Sequence, residues 1–460
     1  MIMETAVVIV FILGYLAITL EHSIKIDKLV PALLMMAISW ALIAFGLDDF
    51  TNWFDSNNHT LISGFSSLPH HSDLHGASKM RWFEETLLHH FGKTCEILIF
   101  LIGAMTIVEI IDHFNGFATI KRFIKTKKKN ILLWIMCILA FILSAIIDNL
   151  TATIVLITIL RKLINENKDR LWFAGLIIIA ANAGGAWSPI GDVTTTMLWM
   201  GKKVSTIELI RLLILPSLLC MLIPTTIASF LKPFRNEFDP PEDDSIENKH
   251  GSAMLYLGLS AIVFVPIFKT ITHLPPYVGM MLSLAIVTLV GEILSSRQFS
   301  IHHLNDSAVN QAETHSSSPI FRALSKIEMP SILFFLGILM TVAALESLGL
   351  VFNLGKNIQE SIPINLFVIL LGFGSAVIDN VPLVAASMGM FDLEIDNTVW
   401  HFIAYSAGTG GSMLIIGSAA GVVAMGMEKI SFFWYLKNIA WLAAVGYLTG
   451  ACSFLLFQSL

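Results

Sequence analysis

Ser144-Ala145-Ile146-Ile147-Asp148-Asn149 sets an acid and an amide in the middle of an apolar run that reaches from Ile131 to Leu160. The motif returns as Ser375-Ala376-Val377-Ile378-Asp379-Asn380, with five of its six residues unchanged, inside a second apolar run from Ile362 to Met390. A carboxylate at the centre of a bilayer costs at least about 2.5 kcal/mol, so two of them call for a function that uses the charge. We read the pair as one ion site assembled from two half-sites.

Around these runs the 460-residue chain is 55% hydrophobic and only 13% charged, with a mean hydropathy of +0.75. Soluble domains carry about 25% charge, so this is an all-α polytopic membrane protein whose outer partner is membrane lipid. A net charge of −6 and a pI near 6.1 leave no basic surface for nucleic acid. Cys95, Cys137, Cys220 and Cys452 are scattered without metal-ligand spacing and read as packing residues. No cofactor is expected. The segment Thr5 to Leu20 follows Glu4 rather than a basic stretch and has no small-residue cleavage site after it, so it reads as a retained first helix.

About 20 apolar residues span a bilayer, which predicts ten spans near 4–20, 29–47, 94–113, 171–199, 205–231, 253–269, 277–295, 331–352, 398–427 and 433–457. The two Asp-Asn runs are left over. Lys121, Arg122, Lys125, Lys127, Lys128 and Lys129 precede the first run, and Arg161, Lys162, Lys168 and Arg170 follow it. Basic residues collect on the cytoplasmic side of short loops, so both ends of this run are expected inside. The second run has only Lys356 before it and Asp392, Glu394 and Asp396 after it, so both of its ends are expected outside. The simplest geometry is two re-entrant hairpins, 131–163 and 362–391, entering from opposite faces with their tips meeting near mid-membrane. That is the arrangement of an inverted-repeat transporter.

The repeat extends in both directions. Phe100-Leu101 and Met105-Thr106 match Phe335-Leu336 and Met340-Thr341, while Ala181, Gly184, Gly185 and Gly191 match Ala407, Gly410, Gly411 and Gly417. The chain therefore divides into residues 1–93, two spans and an external loop with six acids against three basic residues from Leu47 to Lys93; repeat 1 over 94–231; a linker with two spans over 232–327; and repeat 2 over 328–460. The polar stretches Asn236 to Gly251 and Ser295 to Ser318 read as solvated connectors.

Two blocks follow the hairpins and break their helices: Asn182-Ala183-Gly184-Gly185-Ala186-Trp187-Ser188-Pro189-Ile190-Gly191-Asp192-Val193-Thr194-Thr195-Thr196, and Gly408-Thr409-Gly410-Gly411-Ser412-Met413-Leu414-Ile415-Ile416-Gly417-Ser418. Irregular backbone at membrane depth is tolerated where it faces protein or a wet cavity, and its freed carbonyls are hard ligands for a small cation. The expected cavity collects the carboxylates of Asp148, Asp192 and Asp379 as sodium ligands, the amides of Asn149, Asn182 and Asn380, and the hydroxyls of Ser144, Ser375, Thr194, Thr195, Ser412 and Ser418. No Lys or Arg occurs within these blocks, which favours a cation over an anion. Clustered carboxylates cannot all stay ionised in a low dielectric, so sodium and protons compete for them, and that competition suffices for antiport. Glu96 and Glu328, at the starts of the paired spans, are secondary candidates for the ion path, ahead of Glu109 and Glu346. His59, His70, His71, His75, His89 and His90 in and beside the external loop read first as solvated polar residues.

The two hairpin motifs and the two glycine blocks together resemble the NhaD-type sodium/proton antiporters of the ion transporter superfamily, over most of the chain from Cys95 to Phe457. The resemblance implies exchange of sodium, and often lithium, for protons, an elevator-type fold related to the divalent-anion/sodium symporters, and a homodimer. Those symporters usually carry Ser-Asn-Thr at the hairpin tips, from which Asp-Asn departs in favour of a cation. Chloroplast members share the motifs; without a transit peptide, a bacterial inner membrane is expected. Two alternatives stay open, a sodium-coupled carboxylate or other anion carrier and, more remotely, an intramembrane aspartyl protease using Asp148 and Asp379. The protease signature Gly-x-Gly-Asp is matched only in part, at Gly191-Asp192.

Overall fold

The computed structural model describes residues 2–19, 21–55, 60–70, 78–121, 124, 126–238, 250–302 and 318–458. Arg122 and Lys125 of the basic flank, His59, His71 and His75 of the loop, and most of both polar connectors lie outside the described residues. The chain opens with α1 (Ile2–Thr19), the short α2 (Glu21–Ile24) and α3 (Leu29–Phe45), followed by a two-stranded antiparallel ribbon, β1 (Asn52–Asp55) with β2 (Thr60–Ser63). Lys79 Nζ lies 2.9 Å from an Asp48 carboxylate oxygen. Hydrogen bonds from Lys79 and from His70 hold that exposed carboxyl below its ordinary value.

Repeat 1 begins with α4 (Lys79–His113), whose 35 residues start fifteen positions before the expected span because Ser78 caps it, accepting from the Arg81 N–H. The short α5 (Ala118–Lys121) leads to the hairpin helices α6 (Lys129–Ile147) and α7 (Asn149–Arg161). Then come α8 (Asn167–Ala186), α9 (Val193–Met200) and the long α10 (Thr206–Ser229). The linker pair is α11 (Gly251–Thr272) and α12 (Pro276–His302). After α13 (Pro319–Lys326), which ends the linker, repeat 2 runs through α14 (Met329–Ser347), α15 (Leu350–Ser361), the hairpin helices α16 (Ile364–Ser375) and α17 (Asn380–Met390), α18 (Thr398–Gly410), α19 (Ala419–Glu428), α20 (Phe432–Asn438) and α21 (Ala440–Gln458).

Seven described helices are long and apolar enough to cross a membrane by themselves, and one of them is α6, the first arm of hairpin 1. The ten spans of the sequence reading are reached with α1 and α3, one residue or so shorter, and with two interrupted spans. Residues 171–199 and 398–427 each form two helices, α8 with α9 and α18 with α19, separated by the stretches 187–192, with Pro189 and Gly191, and 411–418, with Gly411 and Gly417. Gly and Pro withdraw helix propensity and backbone donors at those points.

The two halves share a skeleton down to single carbonyls. The Ser144 hydroxyl donates to the Ala181 carbonyl at 2.5 Å, and the Ser375 hydroxyl donates to the Ala407 carbonyl at 2.7 Å. A methyl on Gly184 would overlap the Phe141 carbonyl, and one on Gly410 would overlap the Gly372 carbonyl. In each half the broken helix therefore lies directly against the first hairpin arm, a close approach that only glycine permits.

The remaining helices flank this centre crosswise. The first pair, α1 and α3, packs on α14 of the second half: Ala32 and Met35 lie against Phe334 and Ile338, and Trp40 Nε1 donates to the Met340 carbonyl at 2.8 Å. The linker pair packs on α4 of the first half. Each hairpin tip thus has a different pair of outer helices as its neighbour.

Candidate ion-binding site

Both tips are helix starts, and that decides where their carboxylates point. Asp148 is the N-cap of α7 and accepts from the Thr151 N–H at 2.7 Å and from the Thr151 hydroxyl at 2.9 Å. Its backbone sits at φ 88°, in the left-handed region that costs a non-glycine residue of order 1–3 kcal/mol. Asp379 is the N-cap of α17 with an ordinary φ of −47°, and it accepts from the Val381 N–H at 3.3 Å. The difference follows from sequence. The residue in the Thr151 position of the second tip is Pro382, which has no N–H to give.

A carboxylate that caps its own helix folds back on that helix, so the neighbouring amide reaches across instead. The expectation that one cavity collects the carboxylates of Asp148, Asp192 and Asp379 is corrected on this point: Asp379 lies in a different space from the other two. Asn149 and Asn380 are the residues that meet, and they meet on Asp192. The Asp192 carboxylate accepts from Asn380 Nδ2 at 3.0 Å, from the Thr194 hydroxyl at 2.6 Å and, at 3.5 Å, from Asn149 Nδ2. Asn149 Nδ2 also donates to Asn182 Oδ1 at 3.0 Å, and Asn182 Nδ2 donates to the Ser418 hydroxyl at 3.1 Å. Asn149, Asn182, Asp192, Thr194, Asn380 and Ser418 are all buried. Hairpin 1, hairpin 2 and both broken helices are thereby joined in a single polar network.

The other hydroxyls serve the backbone. Thr195 donates to the Asp192 carbonyl at 2.9 Å, Ser412 donates to the Thr409 carbonyl at 2.7 Å, and Ser144 and Ser375 brace the broken helices as described. They shape the site rather than line it.

The tip acids lie in separate cavities on either side of this network. Asp148 and Asp192 share a small space of about 20 Å³ whose walls include Ile190, Val193, Thr196, Ile262 and Met280. That is room for one water-sized body. Asp379 opens instead into a space of about 50 Å³ with Tyr15, Thr19, Glu21 and Lys28. Lys28 Nζ is 3.7 Å from the Asp379 carboxylate. Sequence reasoning missed Lys28, because it lies far outside every repeated block and only the packing of α3 on α14 brings it there. Among the described residues no Lys or Arg is paired with Asp148 or Asp192, and no three His, Cys, Asp or Glu side chains form a ready-made metal cluster. Amide, hydroxyl and carbonyl oxygens therefore have to complete any cation shell at Asp192.

Two larger cavities lead outward. One, of about 330 Å³, holds Glu109, Asp112, Lys326 and Glu328 and reaches Thr151, the residue that holds Asp148. The other, of about 320 Å³, is lined by His89, His90, Glu96, Lys203, Glu346 and Met388. The secondary candidates Glu96 and Glu328 thus sit in different cavities, and neither touches the central network. His89 and His90 belong to α4, with their rings 5.5 Å apart.

A family model described as a citrate transporter matches residues 8–400. Sodium/proton antiporter 1 of Arabidopsis thaliana is 38% identical over 99% of this chain and 73% of its own length. The Na(+)/H(+) antiporter NhaD of Vibrio cholerae is 30% identical over 94% of this chain and 87% of its own. The chain belongs to the family of NhaD-type sodium/proton antiporters. Its fold is also that of the Alcanivorax borkumensis YdaH transporter, with a TM-score of 0.59 at 12% identity over 93% of this chain and 98% of that one. As a member of the NhaD-type family this is an integral membrane transporter and not an enzyme, which removes the protease reading; its two tip aspartates, moreover, occupy different cavities rather than forming a dyad.

Proposed function

We propose that the protein is a secondary transporter that exchanges sodium, and lithium as its smaller congener, for protons across the membrane, with Asp148 and Asp192 as the carboxylates the cations occupy in turn. The observation that carries this reading is the water-sized cavity the two acids share, walled mostly by apolar side chains. Two carboxylates in such a space cannot both keep an uncompensated charge. A sodium ion compensates the ionised pair and protons neutralise it, so each species displaces the other. Either loaded state crosses the barrier with less charge than the empty one. The Thr194 hydroxyl, the amide oxygens of Asn149 and Asn182 and carbonyls of the break at 187–192 supply the further oxygens that a hard cation takes. The antiporter names of relatives in Arabidopsis and Vibrio support the same exchange.

Glu109, Asp112 and Glu328 line the 330 Å³ cavity together with Lys162 and Lys326, a mixed polar path that reaches Thr151 and, through it, Asp148. A homodimer in a bacterial inner membrane completes the proposal, with one hairpin entering from each face.

The word citrate in the matching family model motivates the one competing reading, a sodium-coupled carboxylate carrier. The carboxylate at the centre of the network speaks against docking a second anion there. Everted membrane vesicles with an imposed pH gradient separate the two. Added sodium dissipates the gradient if the proposal holds. Sodium-driven citrate accumulation with no proton movement at any pH, from mildly acid to alkaline, replaces it with the carrier reading.

A further inference from the structure

The two repeated acids have unlike surroundings, and at the second tip one side chain supplies the opposing charge. Lys28 stands at the start of α3, and its ammonium reaches the Asp379 carboxylate at 3.7 Å with both side chains largely covered, 24% and 17% exposed. The same ammonium lies 4.5 Å from the centre of the Phe334 ring, a second attraction that fixes its direction. Its backbone N–H is 3.4 Å from a Glu21 carboxylate oxygen. Phe334 belongs to α14, and α3 is held to α14 so closely that a methyl on Gly337 would overlap the Ala32 backbone. The cation is therefore delivered to the hairpin tip by the outer helices.

Among the residues lining the space beside Asp379, Glu21 and Asp379 are the acids and Lys28 is the one cation. At the first tip the corresponding outer pair supplies Ile262 and Met280. Lys269 of α11 donates instead to the Trp199 carbonyl at 3.0 Å.

We propose that Lys28 is a tethered cation that fills the second half-site: its ammonium stands where a sodium ion would otherwise compensate Asp379, and it confines the exchanged ions to the Asp148–Asp192 side. An ammonium carries one positive charge on a flexible stem, so it neutralises Asp379 without being released. Repeated sequence then yields one exchanging site and one permanently compensated site. Lys28 sets how many cations the protein handles per cycle, and it acts through Asp379 rather than by touching the transported ion. The inference rests on the exchange reading above.

Purified protein in liposomes, with internal pH and radioactive sodium followed together, tests it. Wild-type protein reports on the exchange reading itself: if sodium moves no protons, that reading fails whatever the variants do. Given wild-type exchange, Lys28→Gln exposes Asp379 as an added cation carboxylate, so the dependence of rate on sodium steepens and the proton-to-sodium ratio shifts. Lys28→Arg keeps the wild-type steepness, and Lys28→Gln combined with Asp379→Asn returns to it. Asp379→Asn alone leaves the ammonium unpaired beside the site and raises half-saturating sodium by about ten-fold. A Lys28→Gln protein with wild-type sodium dependence and ratio overturns the proposal. So does an inactive Lys28→Gln protein that Asp379→Asn fails to restore, because Lys28 would then serve something other than Asp379.

Discussion

Hairpin tips 144–149 and 375–380 are nearly the same hexapeptide, yet they carry opposite electrostatic arrangements. At the first tip Asp148 takes a left-handed backbone, is held by Thr151 and shares a mostly apolar-walled space with Asp192. At the second, Asp379 has an ordinary backbone, lacks a Thr because Pro382 stands in that place, and meets Lys28. What the tips share is skeletal: the serine-to-carbonyl bonds and the glycine contacts with the first hairpin arm. What they do not share comes partly from substitutions inside the repeat, Thr151 against Pro382 and Asp192 against Ser418, and partly from the helices outside it, which bring Lys28. Inverted repetition copies a backbone, and unlike neighbours then divide the labour between its two copies.

The comparison breaks most sharply at the carboxylates. Asp192→Asn or Asp148→Asn should lower sodium-driven proton movement by at least about a thousand-fold, more than 4 kcal/mol in the barrier. Asp379→Asn should leave measurable exchange. Equal losses at all three acids, measured in the same liposomes, would restore symmetry to the site and defeat the account.

The outer ends of the hairpins differ as well. Hairpin 1 ends on Arg161, which with Arg170 clasps the fully buried Glu428 at 2.7 and 2.9 Å, whereas hairpin 2 ends on Met390 against Gly355. Leaving two guanidinium groups without their shared anion should make Glu428→Gln less stable by about 3 kcal/mol. Thermal unfolding in detergent reads this directly. A stability unchanged by the substitution would mean that both hairpins are anchored by apolar packing alone.

A smaller change sharpens the contrast at the tips. Thr151→Val removes the hydroxyl from Asp148 but keeps the N–H, a loss of about 1 kcal/mol, and half-saturating sodium should rise about five-fold. Smallest of all, Ser144→Ala and Ser375→Ala each remove one bond to a broken-helix carbonyl. Each should cost under about 1 kcal/mol of stability, by nearly equal amounts. Unequal costs would show that the shared skeleton is not shared energetically.

Much of this was legible in the chain because the repeat is written in residues with few alternatives. Glycines at 184 and 410 mark close backbone approaches, and Asp-Asn inside an apolar run marks a tip. The interruptions of residues 171–199 and 398–427 followed from Gly and Pro. The direction of the carboxylates did not follow, since an Asp that begins a helix caps it and hands the reach across the site to the next residue. The signal was present in Thr151 against Pro382, two residues that decide which N–H is free to be capped. Lys28 was not legible at all: 351 positions separate it from Asp379, and only the packing of α3 against Phe334 and Ile338 joins them.

The claim beneath the rest is that one sodium ion and protons contend for the same two carboxylates, Asp148 and Asp192. Adding sodium to purified, weakly buffered protein and recording proton release tests it most directly. The account predicts release that saturates together with sodium binding and disappears in Asp192→Asn. Saturable sodium binding with no proton released at any pH would contradict it.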